Sequence, residues 1–94
     1  MSDPIDLLEH AKANKPVPAT GPYKIKVNKD FHVWPKPTIT GREILALAGK
    51  DATKNAAYQF VHGKPVRVQL DDTVDLTTPG VERFETLPLD QTEG

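Results

Sequence analysis

The chemistry open to this chain is set first by the side chains it lacks. There is no cysteine among its 94 residues, and serine occurs once, at Ser2 beside the amino terminus. Nucleophilic catalysis by an activated cysteine or serine beside a base is therefore discounted. His10, His32 and His62 fall in an amino-terminal segment, a strand-like run and a turn, with neither the helical nor the finger-type spacing that holds a metal. Asp71, Asp72 and Asp75 form a carboxylate cluster, but it lacks the glycine and closing glutamate of a calcium loop, and adjacent loop carboxylates read as solvated turn formers. The glycines stand singly, so no phosphate-cradling loop is present. Twelve Lys plus Arg against thirteen Asp plus Glu leave a net charge of −1. That gives no basic field, and Lys24, Lys26 and Lys29 read as one strand face, so nucleic acid is not expected as a partner. No apolar run approaches the roughly 18 residues needed to span a bilayer, and Met1-Ser2-Asp3-Pro4 lacks the pattern of a signal peptide. No membrane contact is expected, and the cytoplasm is the expected compartment.

What remains is the chain end. Glycine has no Cβ to obstruct a narrow channel or an attack on its carbonyl, so the Gly94 carboxylate is suited to covalent activation. A carboxylate is inert until it is coupled to AMP, passed to a thiol and then to an amine. All three steps would use catalytic groups on other proteins. Residues 88–94, Pro88 to Gly94, carry no periodicity and read as a mobile tail.

The elements that must hold this end follow from residue patterning. Residues 1–21 are proline-rich with one small apolar cluster, Ile5, Leu7, Leu8 and Ala11. They read as a flexible arm, frayed or carrying a short helix capped by Asp3 with Pro4 at its first position. Tyr23, Ile25 and Val27 alternate with lysines as a half-buried strand; Asn28-Lys29-Asp30 turns the chain, and Phe31 to Trp34 returns it. Thr40 and Glu43 have the spacing of a capping box, flanked by Ile39 and Ile44 as a hydrophobic staple. A helix from Gly41 to about Ala48 is expected, buried along Ile44, Leu45, Leu47 and Ala48 and released by Gly49. Ala57 to Val61, the turn His62-Gly63, and Val66, Val68 and Leu70 give a second hairpin. Asp71 to Leu76 reads as a loop pinned by Val74 and Leu76, and Val81 to Leu87 as the last strand. One helix cannot cover both sides of a sheet. The expected fold is α+β, a four- or five-stranded mixed sheet packed on one helix, with the last strand parallel to the first. This is the β-grasp layout, over residues 22–87. Trp34 would either stand on the open sheet face as an aromatic anchor or fold over the edge of the core.

The assembled residues resemble ubiquitin-like proteins over residues 22 to about 88. Phe60-Val61-His62-Gly63-Lys64 resembles the strand-to-turn segment Ile-Phe-Ala-Gly-Lys of ubiquitin. Ile39 to Leu45 with Leu47-Ala48-Gly49, then Asp71 to Leu76 and Pro79 to Phe84, are similar to the bacterial multiubiquitin family. The resemblance implies a modifier rather than an enzyme, a monomer with no cofactor of its own. Its Gly94 carboxylate would be adenylated with ATP on an activating-enzyme-like partner, moved to a conjugating-enzyme-like partner as a thioester, joined to target lysines and released by a deconjugating peptidase. Thr92 and Glu93 would be read with the tail, and Glu93 calls for a cationic or hydrogen-bonding channel. By the same resemblance, partners would dock on the open sheet face near His62, Lys64 and Arg83, and Trp34 joins them as a candidate anchor by its place in the strand. The other reading of the same fold is a non-covalent interaction module.

Overall fold

A computed structural model describes residues 4–89. The elements run β1 (Ile5–Asp6), α1 (Leu7–Ala13), β2 (Tyr23–Val27), β3 (Asp30–Trp34), β4 (Thr38–Thr40), α2 (Gly41–Leu47), β5 (Asn55–Val61), β6 (Lys64–Val68), β7 (Thr73–Asp75) and β8 (Val81–Pro88). In the main sheet β3 pairs antiparallel with one side of β2, β8 lies parallel to the other, and β5 and β6 follow antiparallel. The expected parallel pair is present, with Val27 opposite Phe84. This is the ubiquitin-like α+β grasp.

Alternation explains which residues are hidden. Tyr23, Ile25 and Val27 are buried on one face of β2 while Lys24 and Lys26 point away, and Phe84, Ala57 and Val68 continue the same inner face across the sheet. The α2 helix covers it with Ile44 and Leu45. Its start follows the expected box: the Thr40 hydroxyl accepts from the Glu43 amide at 3.2 Å, and the Thr40 amide donates to Glu43 Oε1 at 2.9 Å. Gly41, the first helical residue, sits against the Gln69 carbonyl so closely that a Cβ would collide with that backbone oxygen.

Two regions depart from the sequence reading. Thr38–Thr40 and Thr73–Asp75 pair as a separate two-stranded ribbon where a simple loop is expected, because burying Ile39 and Val74 side by side draws their backbones into register. The amino terminus carries the short helix that is one of its two readings, but with a different cap and docked on the domain. Ile5 and Asp6 pair in parallel with Tyr23 and Lys24, and the α1 cap is Asp6, whose carboxylate accepts from the Glu9 amide at 3.2 Å; Asp3 lies outside the described residues. In place of a free arm, Leu7 is 1% exposed in the main core and Ile5 and Val17 pack on it. The reason is width. Five strands at about 4.8 Å spacing span about 19 Å, and a helix is about 10 Å across. The α2 helix lies mainly over β5, and α1 covers β2 and β8. Tyr23 ties the connection down: its hydroxyl donates to the Pro18 carbonyl at 2.7 Å, and burial, with the nearby Asp75 carboxylate, pushes its pKa up.

Two substitutions test these supports. Leu7→Ala should cost about 3 kcal/mol in denaturant unfolding, a loss that a free arm would not show. Thr40→Ala should cost about 1 kcal/mol near neutral pH and lower Tm by about 4–8 °C. Burial raises the Glu43 pKa, but the Thr40 amide and Lys36 outweigh it and hold the carboxyl below its ordinary value. A carboxyl depressed in the folded state stabilises above its unfolded pKa, and that stability is lost as pH falls through the folded value. Thr40→Ala keeps the backbone amide and Lys36 and removes only the hydroxyl's own bond to Glu43 Oε1, 3.2 Å, the smallest of these contributions, so the gap between wild type and variant should narrow only slightly below about pH 4.

Candidate functional site

The outer face of the sheet has no helix over it, and its composition follows from strand pairing. Tyr58 stands opposite Glu85 on β8 and Arg67 on β6, and Phe60 stands opposite Arg83 and Pro65. A register shift between Phe60 and Val61 lets Val81 and Phe84 both reach the core although they are three residues apart. It thereby fixes Arg83, Glu85 and Leu87 on the outside. Simple alternation from Val81 would have put Phe84 outside.

The result is a shallow hollow of about 250 Å³ lined by Tyr58, Phe60, Pro65, Glu85 and Leu87. Arginines border it: the Arg83 guanidinium lies 4.0 Å from the Phe60 ring centre and the Arg67 guanidinium 6.0 Å from that of Tyr58. Arg83 is held in place by Glu82 at 3.3 Å and Glu85 at 3.4 Å. Across β2, Lys24 lies 4.5 Å from the Phe31 ring centre and Lys26 5.9 Å, and Phe31 and Val33 are 48% and 60% exposed. The face offers apolar platforms interleaved with cations, which suits recognition of a protein surface. Among the described residues no cluster of three or more His, Cys, Asp or Glu could hold a metal, and no helix is long and apolar enough to cross a membrane.

Of the described residues singled out from sequence as site candidates, Arg83 alone lies on this face beside the hollow. Trp34 is on the other side: it pairs with Tyr23, packs against the core, and donates its Nε1–H to the Thr38 carbonyl at 2.8 Å. Of the two placements open in the sequence it takes the core edge, and Phe31 and Val33 are the exposed apolar residues of β3. Lys64 is exposed but pairs with Val61, so it shares the parity of the core face. His62 forms the β5–β6 turn, its amide donating to the Gly80 carbonyl at 2.9 Å and its ring lying against Gly80. Gly94, Thr92 and Glu93 lie outside the described residues. The hollow's Tyr58, Pro65 and Leu87 were not singled out; the signal that finds them is the pairing register of β5 with β8.

With the fold and face in view, the molecule falls in the class of ubiquitin-like proteins. More narrowly, the family model for multiubiquitin matches residues 23–88, and the chain belongs to that family. Comparisons with curated proteins and with solved structures yield no match.

The hairpin that presents Phe60 and Pro65 depends on its two-residue turn, where His62 and Gly63 both have positive φ, 52° and 80°. No atom lies within 4 Å of a Cβ added at Gly63, so Gly63→Ala meets only backbone strain. It should cost about 1 kcal/mol in thermal or denaturant unfolding.

Proposed function

We propose that this chain is a bacterial protein modifier acting in the cytoplasm, and that Gly94 is the residue joined to targets. The observation that carries the proposal is the multiubiquitin match over residues 23–88, which ends where β8, an inner strand of the sheet, gives way to the chain's last residues at Pro88. In this reading the Gly94 carboxylate attacks ATP on an activating enzyme, forming an acyl adenylate and releasing pyrophosphate. A thiolate of the carrier displaces AMP to give a thioester, and a conjugating enzyme accepts the acyl group by thiol exchange. A target lysine amine then displaces that thiol and forms an amide, which a peptidase hydrolyses. The chain supplies the acyl group and the docking surface, and its partners supply every catalytic group. Its freedom from cysteine supports this division, since no thiol of its own can capture the thioester. Thr92 and Glu93 enter the activating enzyme's channel with the terminal carboxylate, where Glu93 meets a cationic or hydrogen-bonding wall.

Docking in this reading uses the outer face around Phe60 and Arg83. That same face favours the second reading, a non-covalent interaction module, in which the hollow does all the work and Gly94 none.

The two separate cleanly. With ATP and the cognate activating and conjugating enzymes, intact-mass analysis should show adducts whose new bond is at Gly94. Deleting Gly94 should abolish them while leaving Tm within about 1 °C, because the deletion removes none of the described core residues. Phe60→Ala should weaken activating-enzyme binding at least tenfold, about 1.4 kcal/mol, and Trp34→Phe should change it less than threefold. Adducts formed by the truncated chain would sink the modifier reading; unchanged partner binding with no adduct from the full chain would select the interaction module.

A further inference from the structure

The two free edges of the sheet are built differently. In β6 the two-residue turn fixes Val61 and Lys64 as a hydrogen-bonded pair, so the backbone of Pro65 and Arg67 points outward. Proline has no N–H to offer there and arginine brings charge, which are two ordinary ways of blocking an edge. The β3 edge has neither. The Asn28 amide donates to the Phe84 carbonyl at 2.8 Å, so even-numbered residues of β2 face β8 and odd-numbered ones face β3. Given the β2–β3 register, Asp30, His32 and Trp34 bond inward and Phe31 and Val33 turn their N–H and C=O outward. Among the described residues nothing pairs with those groups, and the same two residues are among the large apolar side chains left exposed.

We infer that the β3 edge pairs with β3 of a second copy of this chain, antiparallel about a twofold axis at His32. The register is self-consistent. With His32 opposite His32 of the second copy, Phe31 falls opposite Val33 in both directions, and these are the residues whose backbone groups face out. Each such pair exchanges two N–H···O bonds and sets an aromatic ring against a β-branched side chain on the outer face. A register moved by one residue would oppose outward-facing to inward-facing groups.

Charge at the ends of the strand is compatible with the same partner. Asp30 comes opposite Trp34 of the second copy, over whose ring the Lys36 ammonium lies at 5.3 Å while it holds Glu43 at 3.1 Å, so at both ends of the pair a carboxylate joins an existing ion pair. The Lys24 and Lys26 ammonium groups lie 4.5 and 5.9 Å from the Phe31 ring centre, beside the seam, so like charges of the two copies oppose the pairing at low salt and are screened as ionic strength rises. Five paired residues form a small interface, well under the roughly 1,200 Å² of a stable complex. The pairing is therefore reversible and is populated at high local concentration, and the isolated monomer expected from sequence is the dilute state.

The absence of cysteine makes the test direct. Residues opposite one another in a non-hydrogen-bonded antiparallel pair have Cα atoms about 4.5 Å apart, within disulfide range. At about 0.5 mM, His32→Cys should oxidise to a covalent dimer at least tenfold faster than Arg67→Cys on the blocked edge. The unsubstituted protein should show concentration-dependent amide shifts centred on residues 30–34, with Phe31 and Val33 amides gaining exchange protection. Val33→Lys, at an exposed position, should weaken association at least tenfold, and loss of Gly94 should not affect it. The inference fails if the protein stays monomeric with unprotected Phe31 and Val33 amides at about 1 mM, if Val33→Lys leaves a dimer intact, or if the edge accepts only an extended strand of another protein.

Discussion

A mixed sheet of this width presents more apolar surface than one two-turn helix can hide, and the rest of the molecule is arranged around that shortfall. The α2 helix shields the β5 side through Ile44 and Leu45. The β2 and β8 side, where Tyr23, Ile25 and Phe84 would otherwise meet water, is closed by α1 and Leu7. A helix of seven residues is marginal alone. It persists here because its burial belongs to the sheet's core, and the same burial draws Ile5 and Asp6 into line beside β2. With both helices on one side, the opposite face has only strands to cover it.

What that open face displays is decided by the irregularity between Phe60 and Val61. Without it, β8 would alternate regularly from Val81, and either Phe84 would be exposed or Val81 would leave the core. The extra residue resolves the conflict and sets Arg83, Glu85 and Leu87 in one row beside Tyr58 and Phe60. The Arg83–Phe60 contact and the two glutamates on Arg83 follow from that row. Core packing and surface chemistry therefore share one backbone feature, and a β8 strand that packs correctly presents the outer face correctly.

These features were unequally legible in the sequence. The helix at Gly41 was readable because Thr40, Glu43, Ile39 and Ile44 are short-range partners whose spacing alone specifies their contacts, and the hairpins were readable from period-two alternation. The parallel pairing of β2 with β8 followed from the order of elements. The docking of α1 was not legible: Ile5, Leu7 and Leu8 carry no local sign of what they meet, and the need for them arises only when the width of the sheet is known. The side taken by Trp34 was open for a similar reason, since Phe31 and Val33 are as apolar as Trp34, and only the pairing of Trp34 with Tyr23 decides between them. The row at Arg83 was hidden by the register shift, which is a property of two strands together and leaves no trace in either alone.

The edges add a constraint that side-chain patterning does not express. An unpaired strand edge is a template for association, and chains that must avoid it place proline or charge at the outward-facing positions. Pro65 and Arg67 occupy those positions on β6, and Phe31 and Val33 on β3. Lys24 and Lys26 repel across β3 but do not block it, because their ammonium groups lie over the face of the Phe31 ring and leave the backbone edge open. The charge that keeps the outer face soluble and the backbone groups available for pairing are therefore perpendicular to one another, and a contact made through one leaves the other free. A partner seated on the hollow around Phe60 and a strand added at β3 would occupy different directions of the same sheet.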